Sequence, residues 1–282
     1  MQKLTRIISE QPGATVVEKW NLCREYLQTR ILQSLYALPT GKMLVFHGGT
    51  CLRICHGTRR YSENLDFSLA KGKSVFSLGK TAAAVVRDLR RLGFKAEQTV
   101  NDEQTVQKAF VRVEGLIGHF HLPASKNQKL AVKLEVDVRP PGGGVVETFF
   151  VSRFDELFPI SKYDLPTLFA GKLLALLFRP YSRGRDYYDA LWFLKNKTKG
   201  NMAYFAAGVK QAKASGMHFR VWDDVLREFR KKAEFISSKA LVADLKPFLE
   251  DSAELSWLGK YPEAVKSLLE RMKTEQNGTG DV

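Results

Sequence analysis

The pattern of hydrophobic and polar positions divides the chain into elements, and the first long element is a helix. Apolar residues recur at helical spacing across residues 15–37. Pro12-Gly13 precedes this run and Pro39-Thr40-Gly41 follows it, and such residues commonly bound a helix. We therefore predict one long helix here, packed against the sheet that follows.

Shorter apolar and alternating runs come next, and their lengths are typical of strands. The glycine- and proline-rich stretch 140–144 interrupts them. The predicted strands cover 43–46, 64–69, 94–100, 109–114, 130–138 and 145–151, with helices at 50–56 and 78–92. The first half of the chain is therefore predicted to be a mixed α/β structure.

After about Pro159 the periodicity becomes helical throughout. We place the boundary near Ser161, which predicts an α/β domain over residues 1–160 and an all-helical domain over 161–282. The fold class that follows is α+β. The predicted helices of the second half cover 165–178, 186–195, 202–214, 220–235, 239–249 and 262–272.

The composition of the chain indicates where the protein is located in the cell and which class of partner it binds. The chain has 282 residues, 44% of them hydrophobic, and a formal net charge of +14. No apolar run approaches the roughly 20 residues that span a bilayer, and the amino terminus lacks a signal-peptide pattern. Three cysteines are too few and too unevenly placed for a disulfide framework. We expect a cytoplasmic protein without membrane contact, and the charge favours nucleic acid over a merely soluble basic surface.

The first candidate site is Gly48-Gly49-Thr50, between a predicted strand and a predicted helix. Glycines leave backbone N–H groups accessible to a phosphate, and the start of a helix adds a partial positive charge. Thr50 can cap the helix or contact the phosphate. An ordinary tight turn uses the same residue types, so this motif alone leaves both interpretations open.

The second candidate is a set of carboxylates on strands. Asp66 lies on one predicted strand, and a second strand alternates strictly, so that Lys133, Glu135, Asp137 and Arg139 share one face. Nucleotidyl transfer needs converging carboxylates that hold metal ions. A solvated sheet edge shows the same pattern, and in isolation it is the commoner explanation.

The third candidate lies in the helical half. Lys172 belongs to an aliphatic helix, while Asp186 and Asp189 are one turn apart on the next helix. Arg185 can pair with Asp189 across four residues. These residues form either a salt-bridged helix surface or a lysine that grips a triphosphate opposite a carboxylate that orients the nucleotide or activates the acceptor.

In order and combination, these segments resemble the AbiE-type toxins, which are type IV toxin nucleotidyltransferases of the polymerase-beta-like superfamily. The family's blocks are a strand with Gly-Gly-Thr, a small-Leu-Arg helix, an Arg and Ser-Glu-Asp-Leu-Asp-Phe; an alternating strand with two carboxylates; and a Lys-Leu-x-Ala-Leu helix followed by Arg and Arg-Asp-x-Tyr-Asp. The resemblance covers roughly residues 43–195. The matching positions are Gly48, Gly49, Thr50, Leu52, Arg53, Arg60, Ser62, Glu63, Leu65, Asp66 and Phe67, then 133–139, then Lys172, Leu173, Ala175, Leu176, Arg179, Arg185, Asp186, Tyr188 and Asp189.

The resemblance implies a polymerase-beta-like nucleotidyltransferase core with a mixed sheet, followed by helices that complete the nucleotide site. It implies transfer of a nucleoside monophosphate from an NTP, with Mg²⁺ or Mn²⁺, to an RNA such as the 3′ end of tRNA. A growth-arresting toxin with a cognate antitoxin, active in phage defence, is the implied role. The implied catalytic residues are Asp66, Glu135, Asp137, Lys172 and Asp186; the nucleotide-binding residues are Gly48, Gly49, Thr50, Arg60, Ser62, Lys172, Arg185 and Asp189; the metal ligands are Asp66, Asp137 and Asn64.

One position departs from the family pattern. The family pairs its metal ligands as Asp-x-Asp, whereas this chain has Asn64 before Asp66. An amide oxygen is neutral, so the site has less negative charge for a divalent cation. Three explanations compete: an active enzyme with Asn64 as a weaker ligand, a deliberately inactivated toxic enzyme, or a natural nucleotide-binding regulator. Transfer to a protein or small-molecule hydroxyl is the remaining alternative to RNA.

Overall fold

The computed structural model describes residues 2–70, 76–120, 122, 128–181, 183–213 and 217–278. The chain divides into two compact units. The first comprises Met1–Pro140 with Val146–Lys162, and the second comprises Pro141–Val145 with Tyr163–Val282. The short segment 141–145, which the sequence analysis placed in the first domain, therefore groups with the second unit.

A seven-stranded mixed sheet organises the first unit, in the order β3-β4-β5-β2-β1-β7-β6. Strand β2 runs parallel to β5, and β1 runs parallel to β7, while β1–β2, β3–β4 and β4–β5 are antiparallel pairs. The predicted mixed α/β fold with a mixed sheet is confirmed. The strands are β1 (Leu44–His47), β2 (Asn64–Leu69), β3 (Lys95–Asn101), β4 (Val106–Glu114), β5 (Leu130–Asp137), β6 (Val146–Arg153) and β7 (Glu156–Tyr163).

Strand β7 was not among the strands predicted from the sequence. Pro159 lies inside it, and a proline removes a backbone donor and usually argues against a strand. The helices of this unit are α1 (Gln2–Ser9), α2 (Val16–Ala37), α3 (Gly48–His56), α4 (Leu78–Arg91) and α5 (Leu116–His119). Helix α2 begins with a capping box between Thr15 and Glu18, which fixes its start one residue after the predicted one.

Alternation gives the sheet one apolar face and one polar face. In β5, Leu134 and Val136 are buried, whereas Lys133, Glu135 and Asp137 are partly exposed. Helix α2 packs against β5, and α4 packs against β3 and β4. Because side chains alternate across a strand, the polar residues of β2, β4 and β5 lie on the opposite side of the sheet. We call the partly exposed polar side of these three strands the open face.

Helix α2 contributes a buried carboxylate that fixes the end of α3. Glu25 is 1% exposed, and it accepts a hydrogen bond from Arg53 Nε at 2.9 Å and pairs with Arg153. The Arg53 guanidinium donates to the Thr58 carbonyl at 3.0 Å and lies 4.4 Å from the centre of the Tyr61 ring. Arg53, part of the family motif, therefore holds the α3–β2 connection in place.

A second contact from α2 holds the same connection closer to β2. Gln28 Nε2 donates to the Ser62 carbonyl at 3.0 Å. Arg24, one turn earlier, lies 3.8 Å from the Glu63 carboxylate. Segment 58–63 is thus fixed by side chains of a helix that carries no family motif of its own.

The second unit is helical, as predicted. Its core includes Phe169 of α6 stacked on Phe193 of α7, with ring centres 4.7 Å apart. In the described part of the chain, no helix is both long and apolar enough to cross a bilayer. The helices are α6 (Leu165–Phe178), α7 (Gly184–Lys195), α8 (Met202–Gln211), α9 (Trp222–Glu234), α10 (Ser238–Leu245), α11 (Leu255–Leu258) and α12 (Tyr261–Gly278).

Replacing Glu25 tests how much the buried ion pair stabilises the first unit. We expect Glu25→Ala to lower the free energy of unfolding by about 3–5 kcal/mol, because it leaves the buried Arg53 without its carboxylate. The matched control is Glu10→Ala, which removes the same charge from an exposed pair with Arg6 and should cost less than about 1 kcal/mol. Urea unfolding followed by circular dichroism measures both, and equal effects would contradict the assignment.

Candidate functional site

The start of α3 is a place where side chains lie directly against the backbone. A Cβ atom at Gly48 would lie 2.3 Å from Asp66 Oδ2, and the backbone there has a φ of +80°. At Gly49 a Cβ atom would lie 2.5 Å from Arg60 Nη2 and 3.0 Å from Ser62 Oγ. The two glycines are therefore required for this packing, which brings five of the predicted site residues together.

The first turn of α3 is suited to an anion. His47, at the N-cap position, makes no side-chain cap hydrogen bond to this helix. The early N–H groups of a helix and its dipole favour negative charge. Thr50, predicted to cap the helix or contact a phosphate, is fully buried and donates its hydroxyl to the Asn64 carbonyl. Its hydroxyl therefore ties α3 to β2 and does not cap the helix.

Arg60 is also buried, in spite of its charge. It is 1% exposed, and its Nη1 donates to the Tyr61 carbonyl at 3.0 Å. Its guanidinium lies against Gly49. Arg60 therefore places positive charge at the first turn of α3, where we predicted a phosphate.

Strand register aligns the carboxylates across the open face. His47 of β1 lies opposite Asp66 of β2, which is next to Glu135 of β5, which in turn lies opposite Lys108 of β4. Asp137 is the partner of Ser68, one row further along. The three carboxylates that were predicted for this half of the chain thus occupy two neighbouring parallel strands.

Asn64 and Glu135 are in direct contact. Asn64 Nδ2 donates to Glu135 Oε2 at 3.3 Å, and Lys133 Nζ lies 2.9 Å from the same oxygen. Glu135 therefore has two partners, Lys133 on its own strand and Asn64 on the neighbouring strand β2. An aspartate at position 64 would instead bring two carboxylates together.

Asp137 is the carboxylate with the perturbed acidity. Burial raises its pKa, and the opposing influences of the Arg139 N–H group and of His47 do not cancel that effect. The Arg139 N–H group donates to Asp137 Oδ1 at 2.9 Å. A raised pKa makes this carboxylate a better proton acceptor than an ordinary aspartate.

The donor set of the open face fits a magnesium ion that is completed by a substrate. Among the described residues, no three His, Cys, Asp or Glu side chains form a preassembled metal site. Mg²⁺ is usually bound by one or two carboxylates together with substrate phosphates. Asp66 and Asp137 supply hard oxygen donors, and a cation would relieve the cost of burying the Asp137 charge.

The predicted residues of the second unit form an ion cluster. Lys172 Nζ lies 2.8 Å from Asp186 Oδ1 and 2.7 Å from Asp189 Oδ2, and Arg179 Nη1 lies 3.3 Å from Asp186 Oδ2. Asp189 is fully buried. The buried Asp189 carboxylate thus supports Lys172 from below the surface of the second unit.

Arg185 is held by another part of the second unit. Its guanidinium lies 4.4 Å from the centre of the Phe248 ring, and its backbone N–H group donates to Asp244 Oδ2 at 3.2 Å. The structure therefore gives Arg185 a packing role, and its contact with a nucleotide stays a prediction.

The sequence matches the family model described as nucleotidyl transferase AbiEii toxin, type IV TA system, over residues 30–271. The chain belongs to the AbiEii family. As a member of that family it is a nucleotidyltransferase toxin of a toxin–antitoxin system, which confirms the resemblance drawn from the motifs. No curated protein matches the sequence at the required significance.

Two solved structures resemble this AbiEii protein. A protein of H. pylori described as a candidate nucleotidyltransferase has a TM-score of 0.55 and 18% identity, covering 93% of this chain and 98% of the other. JHP933 from Helicobacter pylori has a TM-score of 0.49 and 18% identity, with the same coverage. At this level of identity, the first likeness establishes the fold alone.

Sequence reasoning overlooked several residues that shape the AbiEii site. His47 and Lys108 join the carboxylate row only through strand register, and Glu25 and Gln28 act from a helix without a motif. Lys133 was recognised as a face partner of Glu135 but not as its ion-pair partner. These contacts depend on which residues of distant strands and helices lie next to each other, and no short sequence motif indicates that.

The raised pKa of Asp137 predicts a gain of stability when the charge is removed. Native Asp137 holds its proton to higher pH than the ordinary value of 3.8, so folding stability falls as pH rises from that value through the raised pKa. Asp137→Asn should therefore unfold at a higher temperature than the parent at neutral pH, and the difference should shrink towards pH 3.8.

Thermal unfolding across this pH range measures the effect. Glu103→Gln is the control, because it removes a negative charge from an exposed position between β3 and β4 and should change stability by less than about 0.5 kcal/mol. An Asp137→Asn protein that is less stable than the parent at neutral pH would contradict the assignment.

Proposed function

We propose that this AbiEii protein transfers a nucleoside monophosphate from an NTP to the 3′ hydroxyl of an RNA such as a tRNA and releases pyrophosphate. The observation that best supports this proposal is the approach of Asp66, Arg60 and Ser62 to the two glycines that begin α3. One carboxylate for a cation, Asp66, and the donors for a triphosphate thereby meet at the start of α3.

Several groups at the start of α3 and in the connection that follows it are proposed to hold the triphosphate. The N–H groups of Gly48 and Gly49 and the Ser62 hydroxyl bind its oxygens, and the buried Arg60 guanidinium attracts them from behind Gly49. The resemblance to the family assigns a cationic contact to Lys172 as well, and Asp186 orients Lys172 through their 2.8 Å ion pair. These donors fix the phosphates before the reaction, which is the main protein contribution to phosphoryl-type transfer.

Asp66 and Asp137, with Asn64 as a weaker ligand, are proposed to hold Mg²⁺ or Mn²⁺. When bound, the cation neutralises charge on the triphosphate and on the departing pyrophosphate. The acceptor oxygen forms a bond to the α-phosphorus, and the bond from this phosphorus to the oxygen that bridges to the β-phosphate breaks. That oxygen leaves with the electron pair as part of pyrophosphate.

The proton of the acceptor hydroxyl goes to a carboxylate of β5, and we favour Asp137. Glu135 already accepts from Asn64 and Lys133, so its oxygen is less available. Glu135 is therefore proposed to orient Asn64 and Lys133.

The charge distribution favours a polyanionic acceptor over a small molecule. In the second unit, no acidic residue stands between Asp189 and Asp223 in the sequence. An RNA acceptor should therefore bind with steep salt dependence, because each neutralised phosphate releases counterions. The cations of this stretch are all exposed: Lys195, Lys197, Lys199, Lys210, Lys213 and Arg220.

The biological setting follows from the same proposal. Modification of an RNA that translation needs would arrest growth in the cytoplasm, and a cognate antitoxin would counteract it. Such arrest during infection would limit phage production. These statements rest on the RNA acceptor and fail with it.

Transfer of label from α-labelled NTPs to total cellular RNA tests the proposal, with the parent, Asn64→Asp and Asp66→Asn compared. We expect RNA labelling by the parent, at least about tenfold more by Asn64→Asp, which restores a charged ligand, and none by Asp66→Asn. Label on protein, or no RNA label with either the parent or Asn64→Asp, would overturn the RNA assignment.

A second readout of Asn64→Asp does not depend on activity. The new carboxylate faces Glu135, so the variant should unfold at a lower temperature than the parent without Mg²⁺ and should gain more when Mg²⁺ is added. The control Asn196→Asp adds the same charge at the exposed end of α7. Equal Mg²⁺ responses of Asn64→Asp and the parent would argue against a cation at this position.

A further inference from the structure

The open face continues beyond the carboxylates onto β4, where it carries a partly exposed aromatic ring. Phe110 lies opposite Lys133 of β5 on one side and Thr99 of β3 on the other. The Arg112 guanidinium lies 5.1 Å from the centre of the Phe110 ring, and its Nη1 donates to Thr99 Oγ1 at 2.8 Å. The ring and the guanidinium are therefore held together on the sheet surface.

Cations flank this ring along its own strand. Lys108 and Arg112 are two residues before and after Phe110, so all three side chains share the open face. Lys108 is also the cross-strand neighbour of Glu135 in the carboxylate row. On the other side, Glu97 of β3 is the cross-strand neighbour of Arg112, and its Oε1 lies 2.9 Å from Lys129 Nζ.

The direction of the reaction gives this surface a role. In nucleotidyl transfer the attacking and leaving oxygens lie roughly in line on opposite sides of the phosphorus. The proposed triphosphate donors lie at the start of α3, beside β1 and β2. With the leaving pyrophosphate on that side, an acceptor oxygen in line with it comes from the side of β5 and β4.

We propose that Lys108, Phe110 and Arg112, here called the acceptor platform, bind the single-stranded 3′ end of the RNA acceptor. A base stacks on Phe110, and Lys108 and Arg112 contact the adjoining phosphates. Aromatic rings beside cations are the usual means by which proteins bind unpaired RNA. This inference rests on the proposed function, because it names the surface that presents the acceptor hydroxyl to Asp137.

The platform fits an unpaired RNA end better than a protein acceptor. A base offers a flat π surface to the ring, and its backbone offers the negative charge that both flanking cations attract. A duplex end would keep its last base stacked inside the helix and away from Phe110. The platform should therefore distinguish an RNA with an unpaired 3′ tail from one with a blunt end.

The test compares Phe110→Leu, Phe110→Tyr and Arg112→Gln with the parent. Fluorescence anisotropy measures binding of two labelled RNA hairpins, one with a short single-stranded 3′ tail and one blunt. We expect Phe110→Leu to weaken binding of the tailed hairpin by about tenfold and to abolish the preference over the blunt one. Phe110→Tyr keeps an aromatic ring and should retain the preference. Circular dichroism shows whether each variant is folded.

Arg87→Gln is the matched control for Arg112→Gln. Arg87 is an exposed residue of α4, which packs on the apolar side of the sheet, so its loss removes the same charge away from the platform. We expect Arg112→Gln to weaken tailed-RNA binding severalfold and Arg87→Gln to leave it unchanged. Equal losses in both variants would indicate general electrostatic attraction and would overturn the platform.

Steady-state kinetics separates the platform from the nucleotide site. Phe110→Leu should raise the KM for RNA and leave the KM for NTP unchanged, whereas a rise in the KM for NTP alone would overturn the assignment. If the parent transfers label to RNA and Phe110→Leu behaves identically, the platform fails and the proposed function stands. If the parent labels no RNA yet tailed-RNA binding still depends on Phe110, the proposed function fails and the binding surface stands.

Discussion

The site depends on two positions at which the chain carries no Cβ atom. Asp66 lies where a side chain at Gly48 would begin, and Arg60 and Ser62 lie where a side chain at Gly49 would begin. A carboxylate, a guanidinium and a hydroxyl can therefore reach the first turn of one helix. The glycines shape the site by admitting these groups.

The two faces of the sheet divide stability from chemistry. Apolar residues such as Leu134 and Val136 are buried on the side of the sheet that the helices cover. The alternating residues Glu135 and Asp137 lie on the open face. The buried Glu25 of α2 contributes to both stability and the site. It pairs with Arg53, which in turn donates to the Thr58 carbonyl in the α3–β2 connection that contains Ser62. Helix α2 is thus part of the support of the site, although none of the motifs quoted for the family lies in it.

The sequence predicted the elements well wherever periodicity alone decides, as in α2, β2 and β5. It could not place Asp66 beside Glu135, because that proximity is set by the register of two strands far apart in the chain. Strand β7 was not predicted, because Pro159 lies within it and proline is unusual inside a strand. The hydrogen bond from the Thr50 hydroxyl to the Asn64 carbonyl joins residues 14 positions apart, so the sequence around Thr50 does not indicate it.

Binding of a non-hydrolysable NTP analogue in the presence of Mg²⁺ tests most directly whether the packing at Gly49 builds a triphosphate site. Calorimetry should show that Gly49→Ala binds at least about tenfold more weakly than the parent, because the new Cβ displaces Arg60 and Ser62. Gly118→Ala, where a Cβ meets open space, should bind like the parent. An unchanged affinity in folded Gly49→Ala would contradict the account.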